Sequence, residues 1–524
     1  MSEALTNLLD LDTAWQRARR EIAMYGSPSE LALVEQDTDQ WLADVGQRVR
    51  SGAYAPSPME VSELPKAQGI VRPIGHLTPE DLVVYTALVG ACFEAIHRGL
   101  AWSQGTRDFA HVVRLSETDP TEWTRSNFRG WNNFRRASLI DLDEGHSYVV
   151  FTDIAAFYEN VDLATLASDL GALGAPNEAR ALLSRCLNRW ARVNGRGLPQ
   201  GPTASNILAK VYLNVVDRAL ADEGILHVRY SDDIRLFAHT HTDAQNHLLE
   251  LGRLLRKRGL TLQAAKTEVA RADRAREKIE DIVPILKGLQ RRYVEEAAAR
   301  FEFDEPYPGI FEIDAAIEDD PEGMPIELMR EAFQAYFIDE PNGFSKTLFH
   351  FLLKRLGRAK DRLALPHCRR FLERQPEETS YVLKYLQDID ALPEEESMLL
   401  DFLQSPQGQI YEHQRLQIMK WLARHEAAPS DKFVAVAREV AFASAAPRDS
   451  RAVSRQVVGG HGTLADLERL EGEYEQTHDD LEQAQIILCL TRVERQRRNA
   501  FLARAKGDGE LQRRAVSLVL AQAT

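Results

Sequence analysis

The stretch LHVRYSDDIRLFA, Leu226–Ala238, reads as two short strands joined at Ser231-Asp232-Asp233. Val228 and Tyr230 alternate before the turn; Ile234, Leu236 and Ala238 alternate after it. That is the period-2 pattern of a hairpin with a buried face. Upstream, SYVVFTDI (Ser147–Ile154) is a β-branched run that also ends in an acid, Asp153. If these strands are neighbours, Asp153, Asp232 and Asp233 meet at one end of a sheet. Hard divalent cations prefer oxygen ligands, so three such carboxylates suit two Mg2+ ions, with Mn2+ as the alternative. A single Asp at a strand end is an ordinary turn former, so the reading depends on its surroundings.

Four further segments stand in order around these acids. Pro65-Lys66 and Arg72-Pro73 lie upstream. Asp153-Ile154-Ala155-Ala156-Phe157-Tyr158 follows the first strand. Gly197-Leu198-Pro199-Gln200-Gly201-Pro202, with Ser205 and Leu208-Ala209, comes before the hairpin, and Leu260-Thr261-Leu262 with Lys266-Thr267 comes after it. Together with Arg229-Tyr230-Ser231-Asp232-Asp233 they resemble, in family order, the finger segment, first catalytic motif, LPQG motif, Tyr-x-Asp-Asp signature and lysine-bearing motif of the reverse transcriptases.

The resemblance implies an α/β (α+β) right-hand polymerase with palm and fingers. On it, Asp153 and Asp232 bind both metals with help from the Ile154 carbonyl, and Asp233 is the third carboxylate. Lys66 and Arg72 clamp the triphosphate, the latter through its planar guanidinium fork. Gln200 and Gly201 meet the incoming nucleotide. Tyr158 occupies a steric-gate position, where a large ring collides with a 2′-hydroxyl and favours deoxynucleotides. Lys266 either protonates the leaving pyrophosphate or contacts phosphate.

The chain has 524 residues, 64 Lys+Arg and 79 Asp+Glu, a net charge of −15. On its own that balance argues against a nucleic-acid partner. The excess is uneven: residues 301–340 hold 13 acidic residues and one basic (Arg330), whereas 251–300 hold 13 basic and 7 acidic. Cys92, Cys186, Cys368 and Cys489 form no C-x-x-C pair, which excludes a disulfide framework and a spaced-cysteine zinc module. The longest apolar stretch, Val83–Ile96, is too short to span a bilayer. A cytoplasmic protein without membrane association is expected.

Residues 1–50 read as helical, Tyr54–Pro73 as a hairpin or finger, and Leu82–Ile96 as one helix. The spacing of Leu348, Phe349, Leu352, Leu353 and Leu356 marks one helix face, and Ile418, Trp421 and Leu422 repeat the pattern. The expected domains are fingers and palm over 1–290, an acidic connector over 291–344 and an all-α, HEAT-like repeat domain over 345–524. Arg455 and His461 have a spacing found in some helical-domain ribonucleases, but Gly459 and Gly460 between them predict a helix break.

This order of palm and helical repeats resembles the bacterial defence-associated, abortive-infection (Abi-type) reverse transcriptases. That resemblance implies anti-phage defence, homo-oligomers, and DNA synthesis from dNTPs that is protein-primed and template-independent, with the product covalently attached. None of the 14 tyrosines is marked as the priming residue. Two alternatives are a retron-type enzyme copying an RNA template and a non-catalytic palm-plus-solenoid scaffold.

Overall fold

The computed structural model describes residues 8–522 apart from 26, 116–118, 120, 282–283, 286–287, 289–325, 340–343, 392–394 and 426–428. The part of the acidic connector up to residue 325 therefore lies outside the described residues. The chain divides into two compact units. The first holds Met1–Tyr25, Asp37–Val61 and Ile74–Asp281; the second holds Gly26–Gln36, Ser62–Pro73 and Ile282–Thr524.

In the first unit, helices α1 (Leu11–Tyr25) and α3 (Thr38–Ser51) are separated in sequence by α2 (Pro28–Glu35), which belongs to the second. Strands β1 (Glu60–Pro65) and β2 (Val71–His76) form a two-stranded sheet whose residues 62–65 and 71–73 belong to the second unit. The apolar run expected as one helix is two, α4 (Pro79–Ala91) and α5 (Phe93–Leu100). They part at Cys92, whose N–H bonds back to the Val89 carbonyl at 3.1 Å, an i to i−3 tightening that ends the first helix. Helix α6 (Asn127–Asp143) follows.

The centre of this unit is an antiparallel sheet of β3 (Tyr148–Asp153), β4 (His227–Tyr230), β5 (Asp233–Ala238) and β6 (Glu268–Arg271), in the order β4-β5-β3-β6. Helices α7 (Phe157–Asn160), α8 (Leu163–Ala172) and α9 (Asn177–Trp190) follow β3, and α10 (Thr203–Asp222) leads into β4. Helix α11 (His241–Lys257) follows β5, and α12 (Ala272–Glu280) follows β6.

The register pairs Val149 with Phe237, Phe151 with Arg235 and Asp153 with Asp233, so these six share one face. That face packs on α6 and α12 through Phe134, Leu142, Ala275 and Ile279. Helices α10 and α11 pack against the sheet's strands as well. Cover on both faces explains why β3 reads as a nearly continuous apolar run.

The second unit is helical among its described residues apart from the hairpin segment. It runs from α13 (Ile326–Phe333) through α14 (Lys346–Arg358), α15 (Cys368–Arg374), α16 (Thr379–Asp388), α17 (Glu396–Gln404), α18 (Glu412–His425) and α19 (Asp431–Ala441). It continues through α20 (Arg448–His461), α21 (Leu464–Gln476), α22 (Asp480–Cys489), α23 (Arg495–Ala505) and α24 (Glu510–Gln522). Even-numbered helices from α14 to α24 each pack on the next even-numbered one, with the odd-numbered helices between them in sequence. The core includes Leu348, Phe349, Leu352, Leu353 and Leu356, as their spacing requires, and Leu33 from α2.

The glycine pair does not break its helix. Helix α20 runs through Gly459 and Gly460, and a Cβ on Gly459 would lie 2.3 Å from the Cys489 carbonyl. The glycine lets α22 approach closely. Arg455 is buried, donating to Glu482 (2.5 Å), Glu473 (3.3 Å) and the Ala441 carbonyl (3.1 Å), while His461 is exposed. That pairing makes Arg455 a structural ion-pair residue.

Candidate active site

The β3 strand delivers Asp153 at its mouth, directly across from Asp233, the first residue of β5. Asp232 sits between them in sequence terms, on the two-residue β4–β5 turn. The turn residue Ser231 has φ +58°, a left-handed backbone that costs a non-glycine residue about 1–2 kcal/mol. One buried side chain braces it: Arg229 Nη1 donates to the Ser231 carbonyl at 3.3 Å.

Arg229 is itself held by charge. Its Nε (2.9 Å) and Nη2 (2.8 Å) donate to the Asp217 carboxylate, and Nη2 also reaches Asp108 at 2.9 Å. Lys210 Nζ lies 2.5 Å from Asp108, and His227 lies 3.4 Å from Asp217. Burial alone would raise the Asp217 pKa, but Arg229 and His227 hold it well below the carboxylate range. Two cations thus match two anions in the interior, and removing one partner of such a set costs about 3–5 kcal/mol.

The exit from β3 is fixed from the other side. Asp153 O accepts from Gln263 N (2.7 Å), Ala155 N donates to Thr261 O (2.8 Å), and Ile154 forms an antiparallel bridge with Leu262. The Thr152 and Thr267 hydroxyls are 2.8 Å apart. These bonds set Lys266 over the acids, and its Nζ lies 2.6 Å from Asp153 Oδ2. The Asp233 carboxyl is pushed above its usual pKa first by burial and then by Asp153 and Asp232; Arg235 and Lys266 oppose the rise.

Past β3 the chain turns at Ala156, φ +45°, into α7. The Tyr158 ring is largely buried, and its hydroxyl donates to Asn206 Oδ1 at 2.6 Å. Leu198 N donates to Tyr158 O and Gly197 N to Val161 O, both at 2.9 Å, so the LPQG segment docks on the segment carrying Tyr158. Gln200 O accepts from Gly75 N of β2 at 2.9 Å. Gly201 has φ +129°, a conformation L side chains rarely adopt.

Asp153, Ile154, Asp232, Asp233 and Lys266 are thus brought together, and Tyr158, Gln200 and Gly201 form a second, adjoining group of segments. Lys66 and Arg72 lie on Ser62–Pro73, which belongs to the second unit. Sequence reading missed Asn206, Asp108, Asp217 and the bracing role of Arg229. Their only sequence signal is charge or amide on otherwise apolar elements.

The donor chemistry fits Mg2+: three hard oxygen ligands, one of them, Asp233, raised first by burial and then by its neighbours Asp153 and Asp232. Among the described residues no three His, Cys, Asp or Glu side chains are already gathered to hold a metal ion. Lys266 lies on the Asp153 oxygen instead.

Residues 65–295 match the family reverse transcriptase (RNA-dependent DNA polymerase). No curated protein matches the chain. Among solved structures, a Candida tropicalis apo telomerase truncated from its C-terminal domain is similar at 14% identity and TM-score 0.30, over 41% of this chain and 51% of that one. This chain therefore spans about half the length of that telomerase. A Candida albicans telomerase in complex with a TWJ fragment of telomeric RNA is similar at 12% identity and TM-score 0.31, over 76% and 67%. No described helix is long and apolar enough to cross a membrane. The segment that holds Asp153, the Tyr230–Asp233 turn and Lys266 lies within the stretch that matches the reverse transcriptase family, whose members are nucleotidyltransferases of the RNA-directed DNA polymerase type.

Proposed function

We propose that this chain is a DNA polymerase of reverse transcriptase type acting in anti-phage defence, adding dNTPs by phosphoryl transfer. The observation that carries the chemistry is Asp153 facing Asp233 across β3 and β5, with Asp232 on the braced turn beside them. Mg2+ bound by these carboxylates would lower the pKa of the attacking hydroxyl and neutralise charge on the triphosphate.

The protein's own groups do the rest. Gln200 and Gly201 seat the incoming nucleotide. The Tyr158 ring, fixed from behind by Asn206, excludes a 2′-hydroxyl. The attacking hydroxyl loses its proton to water, and its oxygen bonds to the α-phosphorus as the bond to the β-phosphate oxygen breaks. Lys266 either gives a proton to the departing pyrophosphate or contacts its phosphate.

Priming from a protein hydroxyl without a template, in a homo-oligomer, is our reading of the whole chain. It is supported by the order of palm followed by stacked helical pairs, which we take as HEAT-like, and by the acidic segment after the palm. An acidic balance limits phosphate contacts, and affinity for a long duplex depends on those.

The test is labelled-dNTP incorporation by purified protein with Mg2+ and no added nucleic acid. Wild type should give DNA that stays with the protein through phenol extraction, and Asp232→Ala none. Product formed only when RNA template and primer are supplied would replace this reading with the retron-type one. Incorporation by Asp232→Ala at the wild-type rate would remove the metal assignment.

A further inference from the structure

Helix α6 crosses the sheet face that carries the acids, and its first turns lie beside Tyr230. The Tyr230 hydroxyl donates to the Asn127 carbonyl at 3.1 Å. Gly130 fixes the approach: a Cβ there would stand 2.4 Å from the Phe109 carbonyl, so any larger residue would push the helix away. These two contacts determine where Trp131 sits.

Trp131, Phe134 and Tyr230 form one aromatic group. Trp131 meets Tyr230 at 5.1 Å between centroids and 87°, and Phe134 at 5.5 Å. Phe134 is fully buried, whereas Trp131 keeps 37% of its surface in water. A tryptophan serving only to close the core would sit where Phe134 sits. Here the indole is the outermost ring, one residue pair from the acids, since Tyr230 pairs with Asp233.

We infer that Trp131 is a stacking platform for a base of the growing DNA strand, placing its 3′ end at Asp153 and Asp232. An exposed aromatic packed on Tyr230, the strand partner of Asp233, suits a nucleobase, because every base has a π face and stacking needs no sequence-specific partner. Lys266, 60% exposed above the same acids, supplies positive charge nearby. This inference rests on the polymerase reading and adds a binding role that reading does not contain.

The test is fluorescence anisotropy with a labelled 12-nucleotide oligo(dT), without dNTPs or metal, across a salt series. Base–aromatic stacking contributes about 1–3 kcal/mol per base, so Trp131→Ala and Trp131→Leu should bind about 5- to 150-fold more weakly. Trp131→Phe should stay within about threefold, since an aromatic face remains. The salt slope should be unchanged in all three, because no phosphate contact is lost.

Unchanged binding by the Ala and Leu variants would overturn the inference. So would equal loss in all three variants, a changed slope, or absence of binding by wild type. Asp232→Ala serves as the companion protein. It should bind the oligonucleotide while failing to incorporate nucleotide, so failure of the stacking role and failure of the polymerase reading give different results.

Discussion

At Tyr158 the resemblance implies a gate, and the fold adds what would hold such a gate in place. Its place five residues after Asp153 suggests a gate, but a free ring there would swing aside from a 2′-hydroxyl. The hydrogen bond to Asn206 and the packing against Phe157, 5.4 Å between ring centroids, hold it still. Removing a clash worth about 1–3 kcal/mol should let Tyr158→Ala accept ribonucleotides about 5- to 150-fold more readily, measured as the ratio of rNTP to dNTP incorporation. An unchanged ratio would remove the gate. The convergence of the three acids was legible from the strand pattern, whereas their role came from the resemblance of the surrounding segments. Asn206 was not, because it lies 48 residues from its partner and nothing local marks it.

At the scale of elements, strands and amphipathic helices follow their periodicity, while glycines misled. A Gly-Gly pair late in a helical pattern looks like a stop, yet α20 continues because the close neighbour is another helix's carbonyl. Gly459→Ala should therefore destabilise the second unit by about 1–3 kcal/mol, as overpacking does, and lower its thermal midpoint. Helix propensity alone would instead make alanine stabilising by up to about 1 kcal/mol, so the sign of the change separates the two explanations. Strand β6 and helix α6 also escaped sequence reading. The first is only four residues long, and the second carries Asn, Gly and Trp where a helix pattern expects aliphatics.

At the scale of the molecule, the two units do not follow one another along the chain. Helix α2 joins the second unit, where Ser27 accepts a hydrogen bond from Gln485 at 3.1 Å and Glu30 caps the helix by accepting from Ser27 N at 3.0 Å. Burial first, and Asp449 next, raise the Glu30 pKa; Arg448, Lys420 and the Ser27 N–H oppose the rise. A raised folded-state pKa means the native state binds the extra proton, so this contribution is full at low pH and is lost as pH rises through the folded value. Glu30→Gln keeps the cap, since glutamine serves equally in a capping box. It should raise the thermal midpoint at pH 8 by about 2–4 °C for each kcal/mol recovered and leave it little changed at pH 4. An equal shift at both pH values would count against burial of the charge as the cause.

The partner of Ser27 lies 458 residues further along the chain. At translation rates of about 5–20 residues per second, the ribosome needs roughly 20–90 s after making α2 to produce that partner. Leu33 and Glu30 must wait through that interval without their native surroundings. Helix α2 therefore cannot settle until the segment carrying Gln485 has been made, which exposes it to chaperones and proteases for that interval.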